Sequence, residues 1–551
     1  MQKKQRARVR NVLRELFLTR YQRLSSDRAF YEPDMEMISD MVHPIGMVRG
    51  SANTKETERT KRSQIVDNIA ERAVDDLAAY ITSLIAPPDS RWFMFANEDP
   101  DLVNDVDLAG RLDSASRKVL RYLNQPERNF HLSFDESTVE NVPYGLGVMH
   151  VKEEKDGLYF SSVSIKEVFV QENWKGDIEA VIRKRKMTAM QILGEYVDIE
   201  APSFDLGEEE IQDLRDKATN DPKYEYDILY GVFPKNDAIT QASGTTYKYS
   251  SVHAFYNSEG QNGGILRNSG LKRFPYFAFR FRRRAGEPYG HGCGHRGLSD
   301  IRVLQGMKKD NIVVSKLTSR PPLHVPYQAY SKALNVSPGA LNNGKRTSRS
   351  GNEKAEPLFL VGSLPVSVEM SDRIRMAIEE AFYLDAIKES KNNEMSATES
   401  NIRRQDRLAT LSPTIKRIMK ECTTAVIEYV ADYLQDKGKL TELEGVGEIS
   451  VRYINYQLKS QFDTELLGLE RLSSTILNLT NAFPDLPMSI AEEEIVPMLI
   501  EKTFLPYRLI RKKKEVAKQK EMKQMQQASQ IGADQSQSTL NFAKASQALG
   551  L

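Results

Sequence analysis

The chain has 551 residues, of which 40% are hydrophobic and 28% are charged, a composition typical of a globular protein with several domains. Its 77 Lys and Arg residues almost balance 76 Asp and Glu residues, and the net charge of +1 argues against a surface that coats nucleic acid. Two cysteines exclude a disulfide framework and are typical of folding in a reducing compartment, while no apolar run is long enough for a transmembrane helix or a signal peptide.

The chain begins with predicted helices. Apolar residues recur every three or four positions in the first segment, which predicts an amphipathic helix. The residues of this stripe are Val9, Val12, Leu13, Leu16, Phe17 and Tyr21. Its Arg-rich face is either a solvated surface or a contact for nucleic acid or a membrane. A second helix is predicted over Thr54–Ile85, where a Pro-Pro pair ends it, followed by a buried strand at Arg91–Phe95 and a helix at Leu108–Leu123.

The middle of the chain changes to the two-residue period of β-strands. An Asp-Gly turn between Gly147–Val151 and Leu158–Val163 predicts a hairpin. A short helix is predicted at Met187–Tyr196 and an acidic connector at Gly207–Asp216. Further strands are predicted at Val168–Val170, Ala180–Arg183, Tyr224–Val232, Tyr247–Tyr256 and Tyr276–Phe281. In Tyr224–Val232 the apolar residues alternate strictly, which predicts a strand buried on one face only. Because the hairpins do not alternate with helices, the pattern indicates an α+β protein.

Helical periodicity returns in the second half of the chain. The predicted elements are a helix at Gly297–Thr318, a loop-rich insert at Pro321–Ser367, a helix at Ser371–Glu389, a long helix at Ala397–Asp436, a β segment at Ile449–Tyr456 and helices from Leu458 to about Lys523. Gly438 is the predicted C-cap of the long helix, and Pro413 predicts a kink or break within it. The polar residues 524–551 predict a flexible or loosely helical tail.

Two motifs resemble chemical sites only in part. Gly339–Lys345 fits the first seven positions of a phosphate-binding P-loop, but Arg346 occupies the position where Ser or Thr must reach Mg²⁺, which favours a surface loop. His291, Cys293 and His295 alternate with glycines, so an extended segment would place three zinc-compatible side chains on one side. A Gly-rich turn explains the same residues. We therefore predict no metal and no other cofactor.

The sequence lacks the common catalytic signatures. HExxH, GxSxG and the HxE…CxxC pattern are all missing, and paired acids such as Asp75-Asp76 occur more often on solvated faces than in active sites. We therefore predict a large non-enzymatic α+β subunit.

In order and spacing, four stretches resemble the portal, or head-to-tail connector, protein of short-tailed, podovirus-type bacteriophages. They are the N-terminal helices with Pro-Pro and Arg91–Phe95; Pro143–Met149 leading to Arg183 and Met187–Gln191; Gly286–Gly292 opening the helix at Leu298–Lys309; and Ala381-Phe382 with Met395–Glu399, Tyr453 and Gln461. The resemblance covers roughly residues 5–470. Departures are Ser396, where a threonine is more usual, and the Gly- and His-rich stretch after Tyr289-Gly290.

The resemblance implies a phage portal fold with a mainly helical stem, wing and crown, antiparallel β hairpins and a small clip. The implied parts are N-terminal helices and wing at 1–296, a descending stem helix at 297–318, a clip at 319–368, an ascending stem helix at 369–389, a tunnel loop at 390–396, a long wing helix and β segment at 397–457, a helical crown at 458–523 and a flexible tail at 524–551.

The resemblance also implies a function and partners. A portal is a homo-oligomeric ring, usually of twelve subunits, at one capsid vertex of the virion, through which double-stranded DNA is packaged and later ejected. Its implied partners are the terminase large subunit, which is the separate packaging ATPase, a tail or adaptor protein, and the capsid and scaffolding proteins. It has no membrane partner, and it assembles in the cytoplasm of the host bacterium.

Three groups of polar residues are the predicted interaction sites. The DNA-facing tunnel loop has Lys388, Lys391, Asn392 and Asn393; the clip docking rim has Lys332, Lys345, Arg346, Arg349 and Lys354; and the crown has a basic patch at Arg511, Lys512, Lys513 and Lys514. Each has a plainer alternative: a connecting loop whose lysines face solvent, a disordered loop without a partner, and a solvated helix face. The alternative functions are another DNA-binding virion protein and a nucleotide- or metal-dependent enzyme.

Overall fold

A computed structural model of the chain describes residues 2–44, 54–97, 106–197, 208–256, 264–326, 335–344, 356–357, 365–384, 409–446, 449–454 and 522. The chain divides into two compact units, the first formed by Met1–Ala86 with Asn124–Tyr429 and the second by Pro87–Leu123 with Val430–Leu551. Within the described ranges, none of the helices is sufficiently long and apolar to span a membrane.

The helices in chain order are α1 (Gln2–Ala29), α2 (Glu32–Met41), α3 (Thr54–Gln64), α4 (Ile69–Ile85), α5 (Val106–Leu123), α6 (Phe130–Tyr144), α7 (Ala189–Ile192), α8 (Glu208–Asn220), α9 (Ala238–Ser243), α10 (Cys293–Ser319), α11 (Pro365–Ala381), α12 (409–418) and α13 (Ala425–Asp436). A π-helical turn, Leu193–Val197, follows α7, and a second one, Met419–Thr424, joins α12 to α13.

The strands are β1 (Phe93–Asn97), β2 (Leu146–Glu154), β3 (Gly157–Ser162), β4 (Val168–Glu172), β5 (Ile178–Thr188), β6 (Glu225–Pro234), β7 (Tyr249–Tyr256), β8 (Ile265–Leu271), β9 (Tyr276–Arg280), β10 (Leu323–Pro326), β11 (Leu341–Gly344), β12 (Glu356–Pro357) and β13 (Ile449–Tyr453). The sheets have the orders β3-β2-β9, β4-β5-β6-β7-β8, β11-β10-β12 and β1-β13. The predicted α+β class is confirmed, and among the strand pairs that the structure describes β10–β11 is parallel and the others are antiparallel.

The five-stranded sheet of the first unit is buried on both faces. Phe17 of α1 packs with Leu229 and Phe233 on one face, whereas Leu214 of α8 packs with Ile228 on the other. Side chains of adjacent strand residues point to opposite faces of the sheet. In β6 the consecutive residues from Ile228 to Phe233 are all buried, so the strand is covered on both faces. The prediction that Tyr224–Val232 is buried on one face only was therefore wrong, because its second face is also buried.

The N-terminal helix is longer than its predicted stripe, and only part of that stripe is buried. Leu13, Phe17 and Tyr21 are buried, but Val12 and Leu16 are 47% and 37% exposed. A helix turns 100° per residue, so residues next to the buried row lie at the edge of the contact with the sheet.

The predicted helix at Thr54–Ile85 is two helices, α3 and α4, because tertiary hydrogen bonds open the chain between them. The buried amide of Gln305 accepts from the backbone N–H groups of Val66 and Asp67 at 2.9 and 3.1 Å and donates to the Asp67 carbonyl. The Asp67 carboxylate accepts from Ile69 at 3.2 Å and pairs with Arg375 at 2.6 Å. Gln305 and Arg375 are more than 200 residues away along the chain, so local periodicity does not reveal the break.

Four further segments differ from prediction. The acidic connector at Gly207–Asp216 was wrong, because α8 runs over Glu208–Asn220 and buries Leu214. Most of the helix predicted at Met187–Tyr196 is α7 and its π-helical turn, with a Thr188–Gln191 capping box, but Met187 ends β5. No element was predicted for α6 or β8; α6 buries Ser133, Ser137 and Asn141, and polar residues on its core face conceal its helical pattern.

The C-terminal elements of the first unit begin with α10, which starts four residues before its predicted start. The helix predicted at Ser371–Glu389 is α11, which instead covers Pro365–Ala381. The predicted insert between them contains three short strands, β10, β11 and β12. The described helix continues through Pro413, and its irregularity is the π-helical turn at Met419–Thr424 rather than a break at the proline. Gly438, which belongs to the second unit, has φ +67° and donates its N–H to the Gln435 carbonyl at 2.9 Å, as expected of the predicted C-cap.

The second unit joins β1 and β13 in an antiparallel pair with α5 beside it. Trp92 and Phe93 are fully buried there, and the Trp92 ring stacks near Tyr453 at 6.4 Å. Arg91 pairs with Asp113 at 2.5 Å, while Lys118 pairs with Glu442. The predicted strands at Arg91–Phe95 and Ile449–Tyr456 thus form one two-stranded sheet. β1 is shifted by two residues from its prediction, and β13 ends at Tyr453, while the last two residues of its predicted range lie outside the described residues.

Candidate functional site

The residues predicted as interaction sites all lie outside the described residues. They are Lys388, Lys391, Asn392 and Asn393 of the tunnel loop, Lys332, Lys345, Arg346, Arg349 and Lys354 of the clip, and Arg511, Lys512, Lys513 and Lys514 of the crown. The structure describes the elements that lead to the first two groups, namely α10, α11 and the strands between them.

The first turns of α10 lie against the end of α11. A Cβ placed on Gly297 would lie 3.4 Å from the Phe382 ring and 3.6 Å from the Ala381 methyl. Ile301 of α10 and Ile378 of α11 are both buried. The chain therefore leaves this place along α10, forms the small β10–β12 sheet, and returns to it along α11.

The start of α10 also joins two of the stretches that carry the sequence resemblance. Gly145 ends α6 at φ +85°, and a Cβ there would collide with the backbone of Gly290 and lie 2.6 Å from the Gly292 nitrogen. A Cβ on Gly294 would likewise lie 2.6 Å from the Pro143 carbonyl oxygen. The Pro143–Met149 and Gly286–Gly292 stretches thus pack backbone against backbone, which only glycine permits.

A buried arginine fixes the strand that precedes this junction. Arg280, 1% exposed, ends β9 and pairs with Glu421 at 2.7 Å and with Glu172 of β4, while it donates to the Gly176 carbonyl at 2.8 Å. Its backbone N–H also donates to Glu421 at 2.8 Å. Glu421 lies in the π-helical turn after α12. The Arg280 guanidinium thus joins β9 of the β3-β2-β9 sheet and β4 of the five-stranded sheet to this helical segment.

Basic side chains line an open cavity of about 370 Å³ between the end of β9, the start of α10 and Tyr383, which lies two residues after the end of α11. Its basic lining is Arg282, Arg283, Arg284, His291, His295 and Arg296. Arg283 pairs with Glu172 at 3.0 Å, and His291 pairs with Glu287. Burial and the neighbouring His291 together lower the pKa of His295 to about 4, so this ring is neutral at pH 7.

The metal site considered for His291, Cys293 and His295 rested on an extended segment, and that geometry was wrong. Cys293 and His295 lie in the first turn of α10, where the backbone N–H of Gly292 donates to His295 Nδ1 at 3.2 Å. His291 precedes the helix and bonds to Glu287. Burial raises the pKa of the Cys293 thiol to about 12, which disfavours the thiolate form that a metal ion would need as a ligand. Among the described residues, no three His, Cys, Asp or Glu side chains are grouped to hold a metal.

The partial P-loop motif, Gly339–Lys345, was expected to be a surface loop, but its described residues enter a β-strand. Gly339 adopts φ +76°, and Leu341–Gly344 forms β11 parallel to β10. A phosphate-binding loop would need its glycine-rich turn open before a helix, whereas this segment enters a strand.

Sequence reasoning missed Arg280 and the cavity arginines, although signals for both exist. Arg280 sits at a fully buried position of the strand YFAFR, and a charge at such a position indicates a buried ion pair. Arg282, Arg283 and Arg284 are three consecutive arginines directly after a strand. Their meeting with Arg296 depends on the fold of the Gly286–Gly292 stretch, which sequence spacing does not specify.

The chain is similar to two portal proteins of bacteriophages over most of its length. The portal protein of Salmonella phage epsilon15 is 22% identical over 475 residues, covering 84% of this chain and 82% of that protein. A probable portal protein of Bordetella phage BPP-1 is also 22% identical, over 467 residues, covering 81% and 80%. A chain from the solved neck of an empty GTA particle aligns with 84% of this chain and 98% of its own length, at 11% identity and a TM-score of 0.35.

The family model described as bacteriophage head to tail connecting protein matches residues 14–502. Apart from the first residues of the N-terminal helix, this range includes the four stretches on which the resemblance to portal proteins rests, and that resemblance is confirmed. The chain therefore belongs to the bacteriophage head to tail connecting protein family.

Proposed function

We propose that this chain forms the portal ring at one vertex of a phage capsid and that double-stranded DNA passes through its centre during packaging and ejection. The family match over residues 14–502 carries the proposal. The α10–α11 hairpin, capped by a small sheet at its far end, supports it, because a ring of such hairpins would line a channel. The role is structural rather than enzymatic, and the place of action is the virion.

The dimensions of helices are compatible with a DNA channel. Twelve descending helices at a spacing of about 9 Å give a circumference of ~110 Å and a diameter of ~35 Å. Subtracting one helix thickness of about 10 Å leaves a bore of ~25 Å, which admits a DNA duplex. The subunit number of twelve is part of the proposal. The near-zero net charge suits a channel through which DNA must slide, since a surface that is basic along its whole length would hold the DNA.

We propose that the basic rim of the clip docks the terminase motor first and a tail adaptor afterwards. Because β11 ends at Gly344 within a sheet, deleting Leu341–Ser350 would remove a strand as well as the charges. The sharper test replaces Lys345, Arg346 and Arg349 with Gln and measures DNA packaged into capsids. We expect rings to assemble while packaging fails. Normal packaging by the variant would contradict docking at this rim.

The tunnel loop after α11 is the proposed constriction. One lysine per subunit becomes a ring of positive charge when it is repeated around an axis, and ammonium groups on flexible stems contact phosphates weakly and reversibly. Asn392 and Asn393 add hydrogen-bond donors without charge. Replacing Lys388 and Lys391 with Ala should leave rings intact and lower DNA retention in filled heads. Retention equal to that of the unaltered chain would exclude the loop from holding DNA.

The proposed crown faces the packaged DNA, with capsid and scaffolding proteins as neighbours during assembly. Its basic residues Arg511–Lys514 would form a weak electrostatic patch for that DNA. Replacing the four residues with Gln should reduce crosslinking between DNA and the portal inside heads, and unchanged crosslinking favours a merely solvated helix face.

A further inference from the structure

The arginine-rich cavity at the start of α10 carries more positive charge than its surroundings neutralise. Arg283 is paired with Glu172, and His291 with Glu287. Arg282, Arg284 and Arg296 form no salt bridge with any residue in the described part of the chain, and all three are exposed. The cavity therefore presents three uncompensated guanidinium groups around one space of about 370 Å³.

Two of these guanidinium groups are held in place by one aromatic ring. Arg282 and Arg296 lie over the Tyr383 ring, 5.8 and 5.4 Å from its centroid, and Arg282 also donates to the Tyr383 hydroxyl. Tyr383 itself is fixed at φ +57°, its N–H bonded to the Glu380 carbonyl at 3.0 Å. Arginine stacked in this way keeps N–H groups directed into the cavity, and less side-chain entropy is lost when an anion binds.

The chemistry of the lining selects a phosphate group. Guanidinium N–H groups form paired, charge-assisted hydrogen bonds to phosphate oxygens, and several arginines on different sides of one cavity suit an anion with several oxygens. The cavity also adjoins the first turn of α10, a 27-residue helix whose N-terminal end carries partial positive charge. Among the described residues, none of those lining the cavity carries a carboxylate.

We propose that this cavity is a binding site for a phosphate group of the DNA backbone, held by Arg282, Arg284 and Arg296. The assignment of DNA as the source rests on the proposed function. It is supported by position, because Tyr383 lies seven residues before the predicted tunnel loop at 390–396, where the DNA is expected to be most closely surrounded. Phosphate contacts of this kind are independent of base sequence, as a packaging channel requires.

The test uses purified rings of the full chain and a labelled 20-base-pair duplex, with anisotropy measured over a series of NaCl concentrations. The test variant is Arg284→Gln with Arg296→Gln, because both side chains are exposed and Arg282 is left to hold Tyr383. The matched control is Arg23→Gln with Arg215→Gln, which removes two exposed arginines from α1 and α8. Electron microscopy first establishes that each preparation forms rings.

We expect the test variant to bind the duplex several-fold more weakly at 0.1 M salt and to lower the slope of log K against log salt by roughly 1–2, at about 0.9 per lost phosphate contact. The control should match the unaltered chain, and duplexes of unrelated sequence should behave alike. A second arm measures the thermal shift caused by inorganic phosphate.

The other outcomes separate the explanations. Equal duplex affinity and slope in test and control variants would overturn the proposal while leaving the portal function standing. A phosphate-dependent thermal shift that is lost in the test variant, without a change in duplex binding, would assign the cavity to free phosphate and also overturn it. If the test variant alone fails to form rings, the arginines pair with carboxylates of a neighbouring subunit instead. If even the unaltered chain forms no rings, it is the proposed function that fails.

Discussion

At the scale of single residues, the structure depends on charges that are buried and paired. Arg280 is 1% exposed, and its partners Glu172 and Glu421 are 13% and 12% exposed. Removing one member of such a group leaves the others without compensation in a medium of low dielectric constant, which costs more than the pair itself contributes. Arg280 is therefore expected to be among the most sensitive positions of the first unit.

Replacing Arg280 with Met should lower the free energy of unfolding by about 3–5 kcal/mol, because Glu172 and Glu421 lose their shared partner. Arg283→Met is the matched control: Arg283 also pairs with Glu172 but is 25% exposed, so its loss should cost about 1 kcal/mol or less. Urea unfolding followed by circular dichroism measures both. Equal losses in the two variants would show that burial of Arg280 adds nothing.

A second residue-scale prediction concerns pH. Burial lowers the pKa of His253 to about 3, and its ring nitrogens bond to the hydroxyls of Tyr196 at 2.8 Å and Ser251 at 2.9 Å. The unfolded chain, with an ordinary histidine pKa of about 6.5, binds more protons below that pH, so stability falls as pH decreases from about 6.5 towards 3. At pH 5 this residue alone should cost up to about 2 kcal/mol.

The measurement compares urea midpoints of the unaltered chain and His253→Gln between pH 5 and 8. The variant should be less stable at pH 8, where its altered hydrogen bonds dominate, and should lose less stability on acidification. Parallel pH curves for the two proteins would contradict a neutral buried His253.

At the scale of elements, close backbone packing joins α6, β2 and the start of α10. Gly145→Ala should lower the free energy of unfolding by several kcal/mol. The left-handed conformation alone costs an alanine about 1 kcal/mol, and the new Cβ would in addition collide with the Gly290 backbone. Gly244→Ala is the control: it has φ +70° but nothing within 4 Å, so only the conformational cost applies. Thermal unfolding distinguishes the two, and a similar small loss in both would mean that the two backbones separate easily.

Elements with local signals were predictable from sequence, and elements that depend on distant partners were not. The Asp-Gly turn gave the β2–β3 hairpin, because turn residues and alternation act locally. The gap between α3 and α4 was missed because Gln305, far along the chain, supplies its hydrogen bonds. In the candidate cavity, the arginine run at 282–284 was visible, but its meeting with Arg296 and Tyr383 was not.

At the scale of the whole molecule, family resemblance succeeded where residue chemistry gave no function. Short motifs such as Pro143–Met149 are weak alone, and the structure explains two of them as contacting backbones rather than as catalytic groups. The family match over residues 14–502 covers both of these stretches. No catalytic or metal motif would have led to this assignment.

The central claim is that the chain assembles into a ring with an axial hole wide enough for duplex DNA. Electron microscopy of the purified full chain, with averaging of end-on views, measures subunit number and bore directly. We expect rings of about twelve subunits with a bore of ~25 Å, from the helix spacing used above. Compact particles without a hole, or rings with a bore clearly narrower than a duplex of about 20 Å, would contradict the account.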